Sequence, residues 1–72
     1  MLGAITRILP DKSYGFIHSD GKFYFFHKDL VSKESPLQFH ELKVTQQVSF
    51  EPSSRIINGE EKLRAENVIF VL

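Results

Sequence analysis

The chain has 72 residues, 42% hydrophobic and 25% charged, with nine basic residues balanced by nine acidic ones. A chain this short makes one domain with a small core, and zero net charge argues against binding driven by phosphate neutralisation alone. The absence of cysteine excludes disulfides and thiolate metal sites, and no apolar run exceeds five residues, so neither a signal peptide nor a membrane span is expected and a cytoplasmic location is the expectation.

Gly3 to Leu9 is expected to form the first strand, and Pro10-Asp11 marks a turn. Ile5 should face inward. Arg7, two residues on, shares its side unless the strand is bulged.

Tyr14 to His27 holds six of the nine aromatic residues. Asp20-Gly21 in its middle is a hairpin signal, because a type I′ turn needs positive φ at both central residues. A two-residue turn also fixes the register. Tyr14 then faces His27, Gly15 Phe26, Phe16 Phe25, Ile17 Tyr24, His18 Phe23, and Ser19 Lys22. Alternation sorts these pairs by face. Ile17, Tyr24 and Phe26, with Gly15, make the better core candidate. Tyr14, Phe16, His18, Phe23, Phe25 and His27 share the other face, bordered by Lys12, Lys22 and Lys28. Rings with cationic edges suit a single-stranded nucleic acid, whose bases stack while lysines meet phosphates. The competing reading makes all six rings core, or a shield for a neighbouring domain.

Lys28-Asp29-Leu30-Val31 ends the third strand, and Leu30 and Val31 are expected to drop into the core. Ser32 to Pro36 is a polar loop, followed by Phe39 and His40; a loop phenylalanine is often a satellite core contact. Leu42 to Glu51 contains the fourth strand, where Val44, Gln46, Val48 and Phe50 share one parity and Val48 and Phe50 point to the core. Pro52 is expected to end it. Ser53 to Glu61 is expected to be a long loop with a tight turn at Asn58-Gly59, and Leu63 to Leu72 the fifth strand. Its apolar end, Val68 to Leu72, is either the end of that strand or an edge open to association; a monomer is expected, with a weak dimer through this strand as the alternative. Residues 1–33 hold five basic and three acidic residues and residues 34–72 four and six, which makes the hairpin half the expected anion-facing side. Five strands joined by short turns imply an all-β fold spanning residues 1–72, a five-stranded Greek-key β-barrel of the oligonucleotide-binding type (OB-fold).

Lys12-Ser13-Tyr14-Gly15-Phe16-Ile17 resembles the first RNA-binding motif of the cold-shock domain, and Phe23-Tyr24-Phe25-Phe26-His27 resembles the second. Gly3 to Asp11, Phe39 to Phe50 and Arg64 to Val68 extend the resemblance over nearly the whole chain. The resemblance implies a bacterial cold-shock-like protein, with RNA-chaperone or regulatory activity. The face reading and the resemblance together make Arg7, Lys12, Tyr14, Phe16, Phe25, His27, Lys28 and Phe39 the binding candidates, with His18, Lys22 and Phe23 as further candidates. Two positions depart from the family pattern. Arg7 stands where that pattern has an exposed tryptophan, and Lys28 where it often has an aromatic. An arginine can stack its guanidinium on a base and meet a phosphate; a solvated strand-edge arginine is the plain alternative. Phe39 matches a loop aromatic that closes over the ligand.

Nothing in the chain suggests catalysis or a cofactor. His18, His27 and His40 lack metal-ligand spacing. No serine sits in a nucleophile elbow and no glycine loop opens a helix. The expected partner is single-stranded RNA or DNA, bound by base stacking, with no membrane involved. The other reading is a protein-interaction or accessory domain whose aromatic face packs on another polypeptide.

Overall fold

The computed structural model describes residues 1–36, 38–41 and 43–70, with His40 described in its backbone only. Five strands follow in order: β1 (Leu2–Leu9), β2 (Tyr14–Ser19), β3 (Lys22–His27), β4 (Gln47–Ile57) and β5 (Glu60–Phe70). Short 3-10 turns cover Pro10–Lys12, Lys28–Leu30 and Phe39–Glu41, and no α-helix occurs among the described residues. The strands form one closed sheet in the order β1-β2-β3-β5-β4, with β4 returning to pair with β1. No helix among the described residues is long and apolar enough to cross a membrane.

The β2–β3 register is the one a two-residue turn dictates, from Ser19 opposite Lys22 to Tyr14 opposite His27. Asp20 and Gly21 both take positive φ, 51° and 77°. The inward face therefore carries Ile17, Tyr24 and Phe26, all buried. Ile5, Val48, Phe50, Ala65, Val68 and Phe70 complete this core from the other strands, with Val31 from the turn after β3. Gly15 sits where β1 crosses closely. A Cβ there would lie 2.6 Å from the Arg7 carbonyl oxygen and 3.0 Å from the Phe26 ring, so only glycine lets the two strands and the ring meet.

Two bulges break the period of two, and each decides where side chains go. In β1 the register shifts between Ile5 and Arg7: Ile5 opposes Ile17, whereas Arg7 opposes Phe16. Ile5 is thus in the core and Arg7 is exposed on the aromatic face. In β5 the shift falls opposite Phe50, between the pairs Ser49–Ile69 and Glu51–Glu66. Asn67 takes φ 49° there, and its side-chain amide donates to a Glu51 carboxylate oxygen at 2.9 Å. The extra residue lets Ala65 and Val68, three apart, both reach the core.

The second half of the chain departs from expectation at three places. The fourth strand starts at Gln47, inside the expected segment, and Val44 before it is exposed. Pro52 does not end it: β4 runs on to Ile57. Beyond Phe50, whose N–H still donates to the Met1 carbonyl at 2.8 Å, this strand pairs with β5 alone among the described residues, so the outer edge at Pro52 is free and a missing N–H removes no ladder bond from that side. The expected loop Ser53 to Glu61 is instead a hairpin arm, in which Asn58 and Gly59 (φ 52° and 80°) repeat the turn of Asp20-Gly21. The fifth strand accordingly begins at Glu60 rather than Leu63. At its far end Val68 and Phe70 are core, and Ile69 pairs with Ser49, so this part of the apolar terminus belongs to the closed sheet. Leu37, Leu42, Val71 and Leu72 lie outside the described residues.

The polar loop is tied down from both sides. The Ser32 N–H donates to the Val68 carbonyl at 2.8 Å, and the Ser35 hydroxyl accepts from the Phe70 N–H at 3.1 Å. Leu30 and Phe39 pack against the core.

Candidate nucleic-acid interface

The outward face of β2–β3 follows from alternation alone. With Ile17, Tyr24 and Phe26 inside, Tyr14, Phe16, His18, Phe23, Phe25 and His27 must face out. Tyr14, Phe16 and Phe25 form a ring cluster there. The Tyr14–Phe25 centroids are 5.4 Å apart with planes tilted 41°. Phe16 meets Tyr14 at 5.9 Å and Phe25 at 6.0 Å, edge to face in both cases. All three rings are half-buried, so each keeps an open surface while its neighbours hold its orientation. His18 and Phe23 make a second pair at 4.9 Å near the turn, where Phe23 is 61% exposed.

His27 closes the other end, opposite Tyr14. Its Nδ1 accepts the Asp29 N–H at 3.2 Å, and the Asp29 carboxylate lies 3.4 Å from the same atom.

Cations surround the rings. Arg7 lies across from Phe16 on the neighbouring strand, and Lys12, Lys22 and Lys28 are exposed at the strand ends. Among the described residues none of these four is in an ion pair. Their charge remains available to an anion, which a zero net charge for the whole chain conceals.

Phe39 is placed apart from this cluster. Its ring meets Phe26 at 5.9 Å, edge to face, on the core side of the hairpin. The satellite core contact is therefore its structural role here. Among the described residues there is no group of three or more histidines or carboxylates that could hold a metal ion.

The β4–β5 arm adds residues that the reading of Ser53 to Glu61 as a loop concealed. A groove of about 650 Å3 lies between the arm and the aromatic face, with Phe16, Phe23 and Phe25 on one side. Ile57 and Leu63 line the other, with Arg55, Lys62, Arg64 and one acid, Glu61. Phe25 and Arg64 are parallel-bridge partners, so platform and arm are continuous through the backbone. Three cations of the more acidic half, Arg55, Lys62 and Arg64, thus also stand beside the rings. Asn58-Gly59 was the available signal, since the same kind of dipeptide correctly marks the first hairpin.

Neither a scan against protein-family models nor a search of curated proteins matches this chain.

Proposed function

We propose that the protein binds single-stranded RNA or DNA through the aromatic face of β2–β3. The closed five-stranded sheet is, in this reading, a Greek-key barrel of the oligonucleotide-binding type, similar to a cold-shock domain. The observation that supports it most is the cluster of Tyr14, Phe16 and Phe25. These rings lie opposite a core that is complete without them, beside cations that no carboxylate pairs among the described residues. Bases stack on Phe16, Phe25 and His27. Tyr14 adds a ring and a hydroxyl, Lys12, Lys22 and Lys28 meet the backbone, and Arg7 offers a flat guanidinium beside Phe16. Holding bases unpaired in this way is what an RNA chaperone or regulator in the cytoplasm requires, and it needs neither a catalytic step nor a cofactor. The domain acts as a monomer.

A second reading, docking on another polypeptide, draws on the exposed apolar side chains Phe23, Ile56 and Ile57. Titration with a single-stranded oligonucleotide, followed by amide chemical shifts, separates the two. Saturable shifts centred on Phe16 and Phe25 support nucleic-acid binding; no shifts at any concentration leave the polypeptide reading.

A further inference from the structure

We infer that the groove between the aromatic face and the β4–β5 arm is an additional nucleotide subsite. It takes a base against Ile57 and the rings of Phe23 and Phe25, and the adjoining phosphate between Arg55 and Lys62. The inference rests on the single-strand reading above and extends it from the hairpin rings onto the β4–β5 arm, which lies outside the two hairpin motifs.

Arg55 and Lys62 are directly opposite each other across the arm, so their side chains share one face. Like charges in that position weaken a strand pair. Lys62 has a neighbour in Glu60, 2.9 Å away, but both groups are well exposed and such a pair is largely screened. Arg55 has no ion-pair partner among the described residues. Of the two facing cations only Lys62 has a carboxylate neighbour, so the charge of Arg55 is left over, and an anion placed between them offsets it.

The apolar component lies alongside. Ile57 follows Arg55 by two positions, hence on the same face, and is half exposed. Across the groove stands Phe23, exposed near the hairpin turn. Of the other charges in the groove, Arg64 is held by Glu66 at 2.9 Å, and Glu61 is the single acid. The volume, about 650 Å3, is within the range of sites that enclose small ligands, roughly 300–1,000 Å3. A flat apolar body with an attached negative charge is the complementary occupant. Phe16 and Phe25 line both platform and groove, so a strand leaving the platform enters the groove without a gap.

The test is the dependence of affinity on oligonucleotide length. Oligothymidylates of increasing length are titrated into the wild-type protein and into the double variant Arg55→Gln, Ile57→Thr, chosen to keep β-branching on an exposed strand. Short oligomers that fill only the platform should bind both proteins equally. At the length that reaches the arm the wild type should gain about 5- to 100-fold and the variant little, the range expected for one stacked base. An abasic residue at one of the two ends should remove most of that gain in the wild type. Arg55→Gln alone should leave the melting temperature unchanged or raise it, since it relieves the facing charges. Identical length dependence in both proteins overturns the subsite. So does a variant whose only change is weaker self-association in sedimentation, which would make the groove a protein interface. Absence of binding at every length would refute the single-strand reading itself, a result distinct from either.

Discussion

Phe25 and Phe26 are neighbours in the chain with opposite environments, and their replacement should have opposite consequences. Phe26 is fully buried, touches Phe39 and closes over Gly15. Its truncation to alanine leaves a cavity that the surrounding strands cannot close, at about 3–5 kcal/mol. A domain of this length has a total stability of about 4–11 kcal/mol, from roughly 0.05–0.15 kcal/mol per residue. Phe26→Ala should therefore unfold the protein or leave it marginal. Phe25 is half-buried, and its packing partners on the open face are Tyr14 and Phe16. Phe25→Ala forfeits those ring contacts, about 0.5–1.5 kcal/mol each at most, and should leave a cooperative transition in urea. Its single-strand affinity should fall by about 1–3 kcal/mol for one lost stacking surface. Chemical denaturation followed by circular dichroism, paired with oligonucleotide titration of the folded variants, measures both quantities. Unfolding by Phe25→Ala, with Phe26→Ala merely weakening binding, would mean that the faces of the hairpin are assigned the wrong way round.

Gly15→Ala should destabilise by about 1–3 kcal/mol in thermal denaturation, because its Cβ meets β1 backbone and the Phe26 ring. Asn67→Ala should cost about 1–2 kcal/mol by the same assay, since alanine resists the left-handed backbone of the β5 bulge, whereas Asn67→Gly should be close to neutral. Arg7→Trp exchanges a screened charge for a stacking surface beside Phe16, so binding at high salt should tighten by up to about 1–2 kcal/mol, with a smaller gain at low salt. Unchanged affinity at both salt concentrations, with an intact fold, would place Arg7 off the ligand path.

The first hairpin was legible because Asp20-Gly21 leaves no slack: a two-residue turn sets every pair, and alternation then sorts core from platform. Arg7 was undecided for a physical reason. A bulge is set by how β1 wraps onto β2 and β4, and no local residue pattern announces it. The Asn67 bulge was hidden in the same way. The arm was missed differently. Pro52 has the chemistry of a strand terminator, but that chemistry matters only where its N–H would be needed, and topology leaves that side of β4 unpaired. Once the strand was ended at Pro52, Asn58-Gly59 became a turn within a loop, and Arg55, Ile57, Lys62 and Arg64 lost their place beside the rings. Phe39 was open for another reason: an aromatic in a loop fits a ligand clamp or a core contact equally well, and the structure adds its packing against Phe26.

Base stacking on an open aromatic face is tested most directly by comparing a single strand with the duplex of the same sequence across a range of salt concentrations. The rings of Tyr14, Phe16 and Phe25 can engage a base only when it is out of its pair. The single strand should therefore bind more tightly at every salt concentration. Two to four released counterions at about 0.7 each should give a shallow slope, log affinity against log salt of about −1.4 to −2.8. Equal affinity for the duplex, or a much steeper slope, would contradict stacking and assign the binding to phosphate charge alone.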